Sequence, residues 1–302
     1  MVVRSGALGD GLLTLPGLAA LRTRWPSAHI TLVGPRSLLP FACAAEFADA
    51  GEPIEGAAGL ALLGAAGPAP EWARAELAVV WLQRWAGAAR RLAGWGVPAI
   101  IAGPSLPPPE AACHVTDHLC ASLEPLGIGP SRLAAPIPAP AQAAAAAEAW
   151  WQSQAPNGSA QTIALQPGSG GMRKCWPLGR FASLAARLTT AGFRLLVCLG
   201  PAETENAARR QQIVDAFPSA VLANNLTVDV LAGVIGRCAA LVGNDSGVTH
   251  LAAALGVPTL ALFGPTDPVR WAPQGRWVSS LRDPGWQAGS AADGAEAWCL
   301  QP

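Results

Sequence analysis

Leu241-Val242-Gly243-Asn244-Asp245-Ser246-Gly247-Val248-Thr249-His250 reads as the end of a buried strand, a tight turn and the opening of a helix. A helix entered through a Gly/Ser turn presents unpaired backbone N–H groups and the positive end of its dipole, which together favour an anion. Asp245 is badly placed against a phosphate, so contact with sugar hydroxyls suits it better. The plainer alternative is that Asp245 or Ser246 caps the helix and His250 packs on it. The chain then carries no Asp, Glu, Lys or Arg over residues 246–266, close to the length of a membrane span. His250, Gly256, Pro258 and Gly264 divide that stretch into a helix, a turn and a buried strand over residues 259–263. The strand leads into Phe263-Gly264-Pro265-Thr266-Asp267-Pro268, where Thr266 either lines a cleft or belongs to a rigid turn.

The same order of strand, glycine turn and helix occurs twice more. Gln166-Pro167-Gly168-Ser169-Gly170-Gly171-Met172-Arg173-Lys174-Cys175-Trp176-Pro177 follows the apolar run at residues 162–165. Backbone N–H groups of such a loop can cradle phosphate oxygens, Ser169 adds a hydroxyl, and Lys174 supplies a mobile cation. The loop lacks the G-K-[ST] context of a Walker A motif, and a flexible surface loop is the bland reading. At the start of the chain, Arg4-Ser5-Gly6-Ala7-Leu8-Gly9-Asp10 joins a short strand to a helix. Gly6 and Gly9 let the backbone turn tightly beside a ligand. Asp10 serves either as an N-cap or as a carboxylate presented to that ligand. The Gly6-x-x-Gly9 spacing is not the dinucleotide fingerprint, so an oxidoreductase gains little support.

Between these motifs the chain alternates strands with helices, the mark of βαβ units and parallel sheets. Strands are expected at residues 1–4, 29–33, 77–82 and 97–102. A second series is expected at 162–165, 194–199, 239–242 and 259–263. A helix over residues 10–24 is expected to bend at Pro16. Residues 134–160 are rich in Ala, Pro, Gln and Ser and hold a short helix at 141–151. The division expected is therefore an N-terminal Rossmann-like domain over 1–140, a linker over 141–160, and a C-terminal Rossmann-like domain over 161–302. Ligands of such domains gather at the C-terminal ends of the strands. Residues after 282 yield no secondary-structure assignment.

Composition narrows the function. Twenty basic residues balance twenty acidic ones, which argues against a polyanion-wrapping protein and hence against nucleic acid as partner. Lys174 is the single lysine. Seven cysteines, Cys299 included, are odd in number and contain no C-x-x-C pair, which fits a reducing compartment better than a disulfide framework. The first residues show no apolar h-region, so neither a signal peptide nor a transmembrane segment is expected. Cys113-His114-Val115-Thr116-Asp117-His118-Leu119-Cys120 spaces two histidines four apart. A metal there is disfavoured, because Leu119, Leu123 and Leu126 read as a packing stripe and the spacing matches no zinc signature.

Taken together and in order, the Arg4–Pro16 stretch, Pro167-Gly168-Ser169-Gly170 with Lys174-Cys175-Trp176-Pro177, Gly200-Pro201-Ala202-Glu203, and the run from Val242 to Pro268 resemble the family 9 glycosyltransferases, the ADP-heptose:lipopolysaccharide heptosyltransferases. The resemblance covers the chain from residue 1 to about 275. It implies an α/β GT-B architecture, two Rossmann-like domains with parallel sheets facing across a cleft. It also implies inverting sugar transfer without a metal or other cofactor. Asp10 matches the family's general base, and Ser169, Gly170 and Lys174 match the loop that holds the diphosphate. Glu203 matches a ribose contact, with Glu205 as its competitor. Asp245 matches a sugar contact, and Ser246, Gly247 and His250 match the phosphate end of the donor. The implied partners are a nucleotide-sugar donor, ADP-heptose first, and a glycolipid acceptor of lipopolysaccharide-core type. The implied location is the cytoplasm, at or near the inner face of the inner membrane. The alternatives are a GT-B transferase for another nucleotide sugar or a protein acceptor, and a non-catalytic nucleotide-binding relative. The tail after Arg282 shows no convincing version of the terminal helix usual in the family.

Overall fold

Val2 and Val3 are buried because their strand runs through the middle of a sheet. In the computed structural model, which describes residues 1–154, 161–283 and 286, the chain divides into two compact units. The first is Met1–Ala134 and the second begins at Ala135. The strands of the first unit are β1 (Val2–Arg4), β2 (Thr31–Gly34), β3 (Ala50–Pro53), β4 (Leu77–Trp81) and β5 (Ala99–Gly103). They form one parallel sheet in the order β3-β2-β1-β4-β5. Its core gathers Val3, Val33, Val80, Leu62 and Leu92, contributed by strands and by the helices that cross between them.

The second unit repeats the scheme with β6 (Thr162–Gln166), β7 (Arg194–Cys198), β8 (Val221–Ala223), β9 (Ala240–Asn244), β10 (Thr259–Phe263) and β11 (Val278–Arg282). The order is β11-β10-β9-β6-β7-β8, again parallel throughout. Phe181, Leu184 and Leu188 recur at helical spacing along Leu178–Thr190 and bury that helix in one core. Helices Ala144–Ser153, Val228–Ile235 and Gly247–Ala254 contribute to the other. In both sheets the chain reverses direction once, between β1 and β4 and between β6 and β9. Those are the topological switch points where doubly wound sheets leave room for a ligand beyond the strand ends.

Several sequence expectations need correction. The helix expected over residues 10–24 is two helices, Leu8–Leu12 and Leu15–Arg24. Pro16 lies in the first turn of the second, where its missing N–H breaks no hydrogen bond, so a new helix starts where a bend was expected. Three strands were not anticipated, β3, β8 and β11, and each lies at the edge of its sheet. Ala50-Gly51-Glu52-Pro53 has no apolar run, since an edge strand packs less of its surface. The helix expected inside the linker packs Ala147 and Trp151 into the second core, and Trp151 Nε1 donates to Val234 O at 3.2 Å. The expected terminal features and Cys299 lie outside the described residues.

Candidate functional site

The pairing of β6 with β9 sets Gln166 beside Gly243 and so brings the two loops that follow these strands together. Asn244, fully buried, ties them. Its Nδ2 donates to Pro167 O at 2.9 Å, and its Oδ1 accepts the Trp176 N–H at 2.9 Å. Trp176 is itself buried edge-to-face on Phe181, with ring centroids 5.1 Å apart, which anchors the far end of the first loop. Ser169 Oγ donates to the Asp245 carbonyl at 2.8 Å.

Three of the expected residues, Lys174, Asp245 and His250, converge on this arrangement. Lys174 Nζ donates to Asp245 Oδ2 at 2.8 Å, and His250 Nε2 lies 3.7 Å from Asp245 Oδ1. Burial works against the Asp245 carboxylate, but bonding and charge from His250 and Lys174 outweigh it, so its pKa falls from 3.8 to about 2. Asp245 and His250 are buried while Lys174 reaches solvent, which places a cation at the open side of the cluster. The His250 Nδ1 is buried with no partner among the described residues. Ser246 caps helix Gly247–Ala254 by accepting from the Thr249 N–H, so the cap reading holds for Ser246 and not for Asp245. Thr249 Oγ1 donates to Asn244 O at 2.6 Å and locks the turn. Gly247 opens the helix, and the space beside Gly170 is empty.

Glu203 is buried against the first loop. Its Oε2 accepts the Gly200 N–H at 2.9 Å, and a Cβ added to Gly168 would fall 2.1 Å from its Oε1. Gly168 is a glycine because that carboxylate fills the space a side chain would need. Burial pushes the Glu203 pKa up, with backbone N–H groups and the Arg209 charge opposing. Glu205 is exposed. The Thr266 hydroxyl is buried without a partner among the described residues, while Asp267 accepts the Val269 N–H at 3.1 Å and caps the next short helix.

In the first unit, Asp10 is the third residue of helix Leu8–Leu12, and Ala7, not Asp10, is the N-cap. Asp10 Oδ2 accepts the Ala7 N–H at 3.0 Å, the return half of a capping box. Gly6 holds φ +132°, and a Cβ there would meet Asp10 Cβ at 2.8 Å. Gly9 is half-buried in the first turn. A cavity of about 550 Å³ in this unit, lined by Leu21, Trp25, Ile30, Trp72 and Leu77, opens at the N-terminal ends of the strands. It is therefore at the wrong end of the sheet for the chemistry, which parallel sheets place beyond the C-terminal ends.

The sequence profile of glycosyltransferase family 9 (heptosyltransferase) matches residues 133–290, just over half of the chain. The chain belongs to glycosyltransferase family 9. Lipooligosaccharide heptosyltransferase 2 of Haemophilus influenzae is 34% identical over 136 residues, 43% of this chain and 38% of that protein. The family 9 chain thus aligns with little more than a third of the length of such curated relatives. Solved structures are similar over nearly the whole fold. Escherichia coli ADP-heptose lps heptosyltransferase II gives a TM-score of 0.73 at 19% identity, covering 99% of this chain and 98% of that one. E. coli heptosyltransferase WaaC with ADP gives 0.70 at 18% identity, covering 98% and 97%. Both confirm the α/β GT-B fold with its two parallel sheets.

The remaining features of this family 9 chain fall into place as structure. His114 precedes helix Val115–Ala121 in extended geometry, and its Nδ1 caps the helix by accepting the Thr116 N–H at 3.1 Å. It therefore shares no helix face with His118, whose Nε2 lies 2.9 Å from Pro104 O. Among the described residues no three His, Cys, Asp or Glu gather into a group that could hold a metal. No helix among them is long and apolar enough to cross a membrane. Sequence reading assigned no role to Asn244, Thr249 or Arg4. A charged residue ending an apolar strand, as Arg4 does, was the available signal.

Proposed function

We propose that this chain is an inverting, metal-independent glycosyltransferase that moves heptose from ADP-heptose to a lipopolysaccharide-core-like acceptor. The observation that carries the reading is the Lys174–Asp245–His250 cluster, built from two loops at a switch point of the second sheet. Supporting it are the family itself, relatives named lipopolysaccharide and lipooligosaccharide heptosyltransferases, and the fold of a WaaC structure solved with ADP.

In this reading the acceptor hydroxyl oxygen attacks the anomeric carbon, forming the new C–O bond. The bond from that carbon to the diphosphate oxygen breaks, and its electron pair leaves with ADP. The hydroxyl proton passes to Asp10. Charge growing on the leaving diphosphate needs preorganised donors. Lys174, the Ser169–Gly170 backbone and the helix N-terminus at Ser246–Gly247 supply them. The diphosphate draws Lys174 away from Asp245, and the freed Asp245 oxygen accepts a sugar hydroxyl. His250 faces the phosphate end, and Glu203 takes the ribose. The acceptor is a glycolipid presented at the cytoplasmic face of the inner membrane.

Calorimetric titration with ADP, UDP and GDP, followed by the corresponding sugar donors, tests this directly. Selective binding of ADP and then transfer from ADP-heptose, insensitive to chelator, is expected. Preference for UDP or GDP would point to another transferase, and nucleotide binding without transfer to a non-catalytic relative.

A further inference from the structure

Arg4 ends the central strand β1 with a side chain only 2% exposed. Val2 and Val3 before it are what a central strand calls for, and a third valine would continue the pattern at no electrostatic cost. A buried guanidinium instead loses its hydration and must be satisfied by the protein. This one is satisfied poorly. Its Nε has no partner among the described residues, and its Nη2 donates to the Asp10 carbonyl at 3.3 Å. Its anionic neighbour is the Asp10 carboxylate, with Nη2 3.8 Å from Oδ1. Burial pulls the Arg4 pKa down, and Asp10 opposes that pull.

The two oxygens of Asp10 are therefore in different situations. Oδ2 accepts the Ala7 N–H at 3.0 Å, whereas Oδ1 faces the guanidinium beyond hydrogen-bonding distance. Oδ1 thus keeps a lone pair free on a carboxyl group that is 31% exposed. We infer that Arg4 is the positioning residue of this site: it clamps the first turn of helix Leu8–Leu12 through the Asp10 carbonyl and aims Asp10 Oδ1 as the proton acceptor. Arg4 itself touches no reacting atom. The inference rests on Asp10 acting as the base, and the experiment separates the two ideas.

Steady-state transfer is measured with ADP-heptose and a lipopolysaccharide-core acceptor for Asp10→Asn, Arg4→Ala, Arg4→Lys and the double variant Arg4→Ala/Asp10→Asn. Calorimetric ADP titration and circular dichroism report folding. Arg4→Ala is expected to lose about 10²-fold in kcat with both KM values and ADP affinity within about twofold, the split that misplacement of a catalytic group produces. Millimolar guanidinium ion should restore part of that turnover, and Arg4→Lys should retain more of it. The double variant should be no worse than Asp10→Asn. If Arg4→Ala does not fold, Arg4→Gln takes its place under the same criteria. A folded neutral variant with turnover within twofold of the parent, or with its loss confined to KM, overturns the inference even if Asp10→Asn is inactive. Near-normal turnover in Asp10→Asn removes the base reading instead.

Discussion

Lys174 Nζ and Asp245 Oδ2 stand 2.8 Å apart although 71 residues separate them in the chain. The pair joins the loop after β6 to the loop after β9, and the buried Asn244 bonds hold the two loops in register. The single lysine of the chain is thus held on a largely buried carboxylate at the open side of the cluster.

Replacing that lysine should act on the nucleotide more than on the fold. A charge-assisted bond to an ionised group is worth about 1.5–3 kcal/mol. Lys174→Ala is accordingly expected to weaken ADP binding by about 10- to 100-fold, as read by calorimetry. Unchanged affinity would take Lys174 out of the phosphate site.

The depressed pKa of Asp245 makes a statement about acid stability. Its folded value of about 2 lies below the ordinary 3.8, so the carboxylate stabilises the fold above pH 4. That contribution is lost as the pH falls from about 4 towards 2. The shift corresponds to about 2 kcal/mol, at 1.36 kcal/mol per pH unit. Urea unfolding should show Asp245→Asn less stable than the parent at pH 7, with the gap narrowing by pH 3. A gap constant across that range would mean that the contacts of Asp245 with Lys174 and His250 contribute nothing.

Gly168→Ala tests the contact between the first loop and Glu203. With an added Cβ 2.1 Å from Oε1, either the loop or the carboxylate must move. Overpacking of this kind costs about 1–3 kcal/mol. The variant should lose both thermal stability and ADP affinity, and adding Glu203→Ala should recover stability by removing the clash. Wild-type melting of Gly168→Ala would show that Glu203 does not fill that space.

Asp10 serves its helix as well as the proposed chemistry, and the choice of variant separates the two. Asp10→Asn keeps an oxygen that can accept the Ala7 N–H, whereas Asp10→Ala also removes the capping box. Both should lose about 10²–10⁴-fold in turnover, the usual worth of a positioned base. Asp10→Ala should in addition melt lower, by about 1 kcal/mol for the lost cap. ADP binding should survive in both, since the residues proposed to hold it lie in the second unit.

Much of the architecture was legible in the chain. Apolar runs at β1, β2, β4 and β6 fall on buried strands because central parallel strands are covered on both faces. The strands β3, β8 and β11 were not, because β3 and β11 carry polar residues in place of an apolar run and β8 is a segment of only three residues. Pro16 was visible as a disruption, yet whether it bends a helix or begins one depends on where the preceding turn ends. The Cys113–Cys120 stretch was already disfavoured as a metal site by its leucine stripe and spacing, but only the structure puts His114 outside the helix that carries His118.

By itself the sequence determined the alternation of strand, glycine turn and helix, and with it the fold class and the loops proposed to carry function. Those signals are local: the period of burial, the punctuation of glycine and proline, and the order of the motifs. The tertiary structure decided which loops meet. It also decided that Asp245 shares its two oxygens between Lys174 and His250, and that Arg4 lies buried against Asp10. Strand order and burial set those relationships, and neither is written in the spacing of residues along the chain.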